Sequence, residues 1–206
     1  MSDCGLPAVI LAGGQSRRMG TDKARLRIAG RTLLDHAIAR LSPHVGPMVI
    51  SRHTADINPP DGIGLVTDEG TDFDGPLAGI AAALCRFRGE PATHMLSIAV
   101  DSPFFPRDIS HRLSAGFIDG GNIAIAACEG HRHPAFGIWP IDLAESLADH
   151  LREGGSRRMT DVIERYPHIT VEFPMVSTPL GAVDPFFNIN TPADLDRARE
   201  LAPHLS

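Results

Sequence analysis

The chain alternates between short apolar runs and segments in which apolar residues recur at helical spacing. Consecutive apolar residues without polar alternation are typical of strands that are buried on both faces of a sheet. On this pattern we predict strands at residues 8–11, 48–50, 63–66, 95–100, 123–127 and 135–139, with a loop at 129–134 between the last two. The first of these strands ends in Gly13-Gly14, so we expect it to lead directly into a loop.

Helical segments separate these predicted strands. We predict helices at residues 33–41, from 76 onwards, at 143–151 and from 192 onwards. Thr32 and Thr191 are expected to cap the first and the last of them, because a threonine hydroxyl accepts hydrogen bonds from the free N–H groups of a first helical turn. Pro76 is expected at the first position of its helix, where a missing N–H costs nothing.

Repeated strand–helix–strand units predict an α/β fold of three layers, Rossmann-like, in which a mostly parallel, mixed sheet carries helices on both faces. Neither an internal repeat nor a linker interrupts residues 1–206, which we therefore interpret as a single domain. In open sheets of this class ligands bind at the carboxyl ends of the strands. We therefore expect the functional residues at the carboxyl ends of the predicted strands.

The composition and charge of the chain exclude several classes of protein. The net charge of −6 disfavours a general nucleic-acid binder, so any polyanion has to be held by a local positive cluster. No apolar run is long enough to span a bilayer, and the start of the chain lacks the pattern of a signal peptide. Three scattered cysteines form no disulfide framework. These features predict a cytoplasmic protein that acts neither on nucleic acid nor in a membrane.

A glycine-rich, basic loop follows the first predicted strand. Gly13 and Gly14 allow the backbone to turn its N–H groups towards an anion, and Arg17, Arg18 and Lys23 add positive charge beside them. The sequence does not close with the Gly-Lys-Ser/Thr of a P-loop, nor does it contain GxGxxG. The plain alternative is a turn followed by a solvated basic patch. We favour a phosphate-binding loop, because the charges stand at the carboxyl end of a strand.

Aspartates follow two other predicted strands. Asp101 comes directly after a buried strand and has the chemistry to hold Mg²⁺, which prefers one or two carboxylates together with water and phosphate oxygens. An Asp-Ser-Pro turn is an equally good explanation of that residue taken alone. Asp68 closes the run 63–67 in the same manner.

The residues from Leu11 to Lys23 read LAGGQSRRMGTDK and match the pattern LAGGxSxRMGxDK without a gap. Further matches follow in order along the chain: Asp68, the segment 74–79, Asp101-Ser102-Pro103, His133-Pro134 and the segment 188–192. In these residues the sequence resembles the nucleotidyltransferases that build the molybdenum cofactor. The paired glycines, with Asp22 before Lys23, are similar to the guanylyltransferase members of that family.

The resemblance implies a nucleotidyltransferase fold and an Mg²⁺-dependent enzyme that transfers GMP from GTP to molybdenum-molybdopterin and releases pyrophosphate. It implies catalytic roles for Arg17, Lys23 and Asp101, with Asp101 as the metal ligand. The nucleotide-binding residues that it implies are Leu11, Ala12, Gly13, Gly14, Lys23, Ser51, Asp68, Gly75 and Asp101. Ser51 departs from the family pattern, in which an asparagine commonly ends the second strand. Asp68 either contacts the base or shapes its loop.

The second half of the chain is expected to bind the acceptor. The resemblance assigns His133, Asn188 and Asn190 to that site, and the charges of Arg157 and Arg158 after Gly154-Gly155-Ser156 suit an anionic acceptor. Arg157 and Arg158 are explained equally well as positive charges that stabilise a helix C-terminus. Cys128, His131 and His133 lack a convincing fourth ligand for zinc. Phe136 and Trp139 are expected in the core.

Other functions remain open at this stage. One is transfer of CMP to molybdopterin or of a nucleotide to a sugar phosphate, and another is a non-catalytic module that delivers the cofactor. A Rossmann dehydrogenase is disfavoured, because its second strand would close with an acidic residue and this one closes with Ser51-Arg52. We expect a monomer whose further partners are other molybdenum cofactor biosynthesis proteins and molybdoenzyme chaperones.

Overall fold

The computed structural model describes residues 5–13, 22–55, 57–67, 75–116 and 123–205. Its strands are β1 (Ala8–Leu11), β2 (Arg27–Ile28), β3 (Arg31–Thr32), β4 (Met48–Arg52), β5 (Ile63–Thr67), β6 (His94–Ala99), β7 (Ile123–Cys128), β8 (His131–Pro140), β9 (His168–Glu172), β10 (Val176–Thr178) and β11 (Gly181–Val183). Its α-helices are α1 (Leu33–Leu41), α2 (Pro76–Phe87), α3 (Ile109–Ala115), α4 (Leu143–Arg152), α5 (Met159–Ile163) and α6 (Pro192–Leu201). Within these ranges no helix has the length and apolar character needed to cross a bilayer.

A mixed sheet of seven strands, in the order β5-β4-β1-β6-β8-β7-β9, forms the middle layer. The pairs β5-β4, β4-β1, β1-β6 and β7-β9 are parallel, whereas β8 runs antiparallel to both of its neighbours. This confirms the predicted α/β fold with a mostly parallel sheet. The small pairs β2-β3 and β10-β11 lie outside the main sheet and are not predicted from the apolar pattern.

Both faces of the sheet are covered by helices. Along β1, Ile10 joins the core that includes residues of α1, α3 and α6, whereas Val9 and Leu11 join the core that includes residues of α2, α4 and α5. All residues of β1 are buried for this reason. The two-sided burial explains why the strand is a continuous apolar run rather than an alternating one.

Local caps fix the helix starts that the sequence predicts. Thr32 and Asp35 form a capping box at the start of α1, and Thr191 and Asp194 form one at the start of α6. Each box satisfies free backbone N–H groups from both sides, which sets the first turn. Pro76 stands at the start of α2 directly after Gly75, whose φ of 118° is readily adopted only by glycine.

The loop predicted at residues 129–134 is wrong, because β8 already begins at His131. Only Glu129 and Gly130 make the turn, both with positive φ. The pairing of β7 with β8 jumps from Ile125↔Gly137 to Ala126↔His133. Pro134 therefore lies in an irregular stretch of the strand, where no ladder hydrogen bond from its nitrogen is needed.

This irregularity opens the sheet where the functional site lies. The pairing of β6 with β8 ends at Ser97↔Gly137, while the first residues of β8 continue to pair with β7 alone. At the branch point the Ser97 hydroxyl donates to the carbonyl of Ala135 over 2.9 Å and accepts from the Trp139 indole over 3.0 Å. The end of β6 and the start of β8 consequently separate, and a cleft forms between them.

Candidate functional site

A cleft of about 460 Å³ lies at the carboxyl ends of β1 and β6 and is bounded on one side by the first residues of β8. It is lined by Leu11, Ala12, Gly13, Asp22, Lys23, Pro76, Ala99, Val100, Asp101, His131, Arg132, His133, Pro134, Ala135, Phe136 and Asn188. Seven residues predicted for the site are therefore in one place: Leu11, Ala12, Gly13, Lys23, Asp101, His133 and Asn188. The position agrees with the rule that ligands bind beyond the carboxyl ends of parallel strands.

The Lys23 ammonium group lies in the cleft between two polar side chains. Its Nζ donates to Asp101 Oδ2 over 2.8 Å and to Asn190 Oδ1 over 2.6 Å. The side chains of Lys23 and Asp101 are 21% and 23% exposed, so solvent still reaches the pair. A pair at this level of exposure adds little to folding stability. The contact brings together three residues that the sequence singled out from distant parts of the chain.

The end of β6 also holds the segment that carries the two asparagines. The N–H of Ile189 donates to the Asp101 carbonyl over 2.9 Å, and Ile189 is fully buried. The buried Ser102 hydroxyl donates to the Phe186 carbonyl over 3.0 Å and to Asn188 Oδ1. Asn188 and Asn190 therefore lie beside Asp101 on either side of an anchored residue.

The donor set of the cleft suits one kind of cation. Within the described ranges no group of three or more His, Cys, Asp or Glu side chains converges as a metal cage. Asp101 instead presents a single, partly exposed carboxylate next to Lys23. Mg²⁺ is commonly held by one or two carboxylates while substrate phosphates and water complete its shell. The residues therefore fit a divalent cation that is bound together with a phosphorylated substrate.

His133 forms part of the opposite side of the cleft and is only 8% exposed. Its Nε2 lies 3.1 Å from Asp184 Oδ2, without the alignment of a hydrogen bond. Its ring centroid lies 4.8 Å from that of Phe186 and 4.9 Å from that of His131. Burial lowers the pKa of His133, and the nearby His131 lowers it further, while Asp184 and Glu172 oppose the shift. The imidazole is thus mainly neutral at pH 7.

This lowered pKa predicts a loss of stability in mild acid. The unfolded chain binds the proton of this histidine near its ordinary pKa of 6.5, whereas the folded chain binds it only at lower pH. The unfolded state therefore holds more protons below that value, and the free energy of unfolding decreases as the pH falls. We expect His133→Gln to show a shallower decrease between about pH 7 and about pH 5.

Urea unfolding of both proteins at several pH values measures this difference. Replacement of the exposed His204 by glutamine controls for the loss of a histidine as such. An unchanged pH dependence in His133→Gln would mean that His133 does not carry this proton linkage.

Other predicted site residues lie away from the lining of the cleft. Ser51 is buried under α2, where a Cβ built on Gly79 would stand 2.3 Å from its Oγ. Gly75 precedes Pro76, which does line the cleft. Arg157 and Arg158 are exposed just before α5 and are not among the lining residues. Gly14, Arg17, Arg18 and Asp68 fall outside the described residues. The roles of all these residues stay predictions.

Several residues at the cleft were not identified as site residues from the sequence. Asp22 lines it and is held by Arg52, whose Nη1 and Nη2 donate to the two carboxylate oxygens over 3.2 and 2.9 Å. Arg132 and Asp184 are also close to the site. The signal for Asp22 was its place beside Lys23, and that for Arg52 was a charged residue soon after the apolar run Met48-Val49-Ile50.

Comparison with known proteins identifies relatives over nearly the whole chain. The profile of the MobA-like NTP transferase domain matches residues 8–169. A molybdenum cofactor guanylyltransferase of Rhizobium meliloti (strain 1021) is 44% identical over 203 residues, which cover 97% of this chain and 93% of that protein. One of Bradyrhizobium sp. (strain ORS 278) is 42% identical over 205 residues, which cover 96% and 93% of the two chains.

Solved structures share the fold at lower identity. Molybdopterin-guanine dinucleotide biosynthesis protein A from Archaeoglobus fulgidus is 23% identical, with a TM-score of 0.73 over 97% of this chain and 100% of that one. The 2-C-methyl-D-erythritol 4-phosphate cytidylyltransferase of Thermus thermophilus is 22% identical, with a TM-score of 0.67 over 97% and 99%. These likenesses confirm the predicted nucleotidyltransferase fold. The family profile and the sequence relatives show that the chain belongs to the molybdenum cofactor guanylyltransferase family of MobA-like NTP transferases.

Proposed function

We propose that this protein transfers GMP from GTP to molybdenum-molybdopterin and releases pyrophosphate. The observation that carries the proposal is the meeting of Lys23, Asp101 and the end of β1 in one cleft, in a chain whose relatives are guanylyltransferases. In the reaction, an oxygen of the acceptor phosphate forms a bond to the α-phosphorus of GTP. The bond from that phosphorus to the β-phosphate oxygen breaks, and its electron pair leaves with pyrophosphate.

The nucleotide is bound at the end of β1. A Cβ built on Gly13 would stand 3.4 Å from the backbone nitrogen of His53, in van der Waals contact, so the chain after β1 runs beside the end of β4. We assign Leu11, Ala12, Gly13 and Gly14 to the triphosphate end of this site, where Arg17 and Lys23 offset the phosphate charge. Ser51, Asp68 and Gly75 complete the proposed nucleotide site, with Asp68 either contacting the base or shaping the loop beside it.

A divalent metal is generally required by nucleotidyltransferases of this kind, and we assign Mg²⁺ to this role. Asp101 would hold it. When bound, the ion neutralises phosphate charge and polarises the α-phosphate as a Lewis acid. Lys23 contributes a fixed positive charge next to the same phosphates, which is the principal demand of this chemistry.

The acceptor is bound by residues of the second half of the chain. We assign His133 and Asn188, which line the cleft, and Asn190, which contacts Lys23, to the acceptor. We assign Arg157 and Arg158, which are exposed before α5, to the same anionic substrate. A phosphate monoester has its second pKa at about 6, so the attacking oxygen is already ionised near neutral pH. No general base is therefore needed, and the residues have to orient and neutralise rather than remove a proton.

The remaining assignments follow from this reaction. Residues 1–206 act as a single domain whose first half binds the nucleotide and whose second half binds the acceptor. Use of GTP is in keeping with a cytoplasmic enzyme. It acts as a monomer that receives its acceptor from other molybdenum cofactor biosynthesis proteins and passes its product to molybdoenzyme chaperones.

The proposal predicts that the protein uses GTP in preference to the other nucleoside triphosphates. With metal-loaded molybdopterin and Mg²⁺, we expect GTP to support pyrophosphate release at least about ten times faster than CTP, ATP or UTP, because about 1.4 kcal/mol of base recognition suffices for that ratio. Pyrophosphate is measured for each nucleotide separately, with and without the pterin. A preference for CTP would establish the cytidylyl alternative. Binding of GTP without any release of pyrophosphate would establish a delivery module instead.

A further inference from the structure

The residue next to the proposed catalytic lysine is a carboxylate that lines the same cleft. Asp22 is 26% exposed and directly precedes Lys23. A second carboxylate beside the phosphates of a nucleotide opposes their binding, unless its charge is compensated. A positively charged side chain other than those that bind the substrate therefore has to neutralise Asp22.

Arg52 provides this cation from the end of β4. Its guanidinium donates from Nη1 to Asp22 Oδ1 over 3.2 Å and from Nη2 to Oδ2 over 2.9 Å, the forked geometry that fits a carboxylate. Nη1 also contacts the carbonyl of Ala12, at 3.3 Å. The side chain of Arg52 is only 9% exposed, so the pair is little screened by solvent on that side.

The pair connects the strand ends that form the nucleotide side of the cleft. Ala12 directly follows β1, and Arg52 is the last residue of β4. Asp22 Oδ1 accepts from the N–H of Ala24 over 3.0 Å and so caps the short 3-10 turn Lys23–Arg25. The Asp22 carboxylate thus accepts hydrogen bonds from Arg52 and also fixes the turn that carries Lys23.

We propose that Arg52 is a positioning residue for the transfer reaction: it neutralises Asp22 and fixes it, so that Lys23 stays directed at Asp101 and the nucleotide phosphates. The proposal rests on the proposed function and adds a role for two residues that have no direct part in the chemistry. Substrate binding depends on both effects, because loss of Arg52 leaves a carboxylate beside the phosphates and loosens the lysine that attracts them.

The test compares Arg52→Gln, Asp22→Asn and the double variant. Equilibrium binding of Mg²⁺-GTP and steady-state kinetics are measured for each. Arg52→Gln is expected to raise the Kd and the KM for GTP about tenfold or more, with a smaller change in kcat, since a charge-assisted pair at the substrate is lost. The double variant is expected to have a KM no higher than that of Arg52→Gln, because the residues act through each other. Arg52→Lys keeps the positive charge but lacks the forked guanidinium donors. It should therefore recover part of the GTP affinity that Arg52→Gln loses.

Arg25 offers a matched control on the same carboxylate. Its Nε lies 3.3 Å from Asp22 Oδ2, but its side chain is 59% exposed. We expect Arg25→Gln to change the GTP affinity less than about twofold, as exposed pairs contribute little. Melting temperatures of all variants separate folding from binding, and the lysine and asparagine variants carry the test if Arg52→Gln does not fold.

Two outcomes would overturn the proposal: an unchanged Kd and KM for GTP in a folded Arg52→Gln, or single effects that simply multiply in the double variant. Failure of the proposed function is a separate result. It would appear as a wild-type protein that binds GTP without transferring GMP, and the effect of Arg52 on GTP binding would then still be measurable.

Discussion

Replacement of Asp101 by alanine is expected to slow GMP transfer by at least about 1000-fold, because one substitution removes the carboxylate for the metal and the partner that orients Lys23. Asp101 Oδ2 accepts directly from Lys23 Nζ at 2.8 Å, and the carboxylate lines the cleft. The backbone contact of this residue, from the Ile189 N–H to the Asp101 carbonyl, does not depend on its side chain. The fold should therefore persist in the variant.

Pyrophosphate release with GTP, Mg²⁺ and metal-loaded pterin measures the effect, and thermal unfolding checks the fold. Asp108→Ala is a matched control, since Asp108 is exposed before α3 and makes no side-chain cap there. The control should retain wild-type turnover. Near-normal turnover in Asp101→Ala would remove Asp101 from the catalytic machinery and, with it, the proposed site of the metal.

The apolar pattern predicts those parts of the fold that are buried from both sides. The strand β1 and the helices α1 and α2 appear where continuous runs or helical spacing require them. The start of β8 is different, because His131–Pro134 is polar and contains a proline. Its strand conformation comes from pairing with the end of β7, a tertiary contact that leaves no periodic signal in the sequence.

The central part of the site was predictable for a geometric reason. Since β1 and β6 are parallel neighbours, the residues that follow them, Gly13 and Asp101, necessarily meet at one edge of the sheet. The Asp22–Arg52 contact could not be foreseen in the same way. It depends on how two long side chains turn towards each other across 30 residues of sequence, and neither spacing nor composition specifies that orientation.

The lowered pKa of His133 and the separation of the end of β6 from the start of β8 are also not predicted by the sequence. The buried ring of His133 packs against Phe186, which follows β11. A histidine in a polar stretch gives no indication that it will be buried. Local sequence thus identifies which groups can do chemistry, and tertiary packing decides which of them are desolvated.

Replacement of Lys23 by methionine is expected to reduce kcat/KM for GTP by about 100-fold to 1000-fold, as for the loss of one fixed donor to a developing phosphate charge. Lys23 is the only lysine in the sequence, and every other member of its Lys and Arg residues is an arginine. An ammonium group is a compact point charge that can contact Asp101, Asn190 and a phosphate in turn, whereas a guanidinium is planar and larger. We therefore expect Lys23→Arg to restore only part of the activity.

The single lysine also gives a direct measurement. An amine-acylating reagent has only Lys23 and the N-terminal amine as targets, and acylation removes the positive charge of the side chain. Acylation at position 23 should abolish GMP transfer, Mg²⁺-GTP should protect that position, and Lys23→Arg should keep its residual activity under the same treatment. Full activity of a protein acylated at Lys23, or in Lys23→Met, would show that this ammonium group does not stabilise the transferring phosphate.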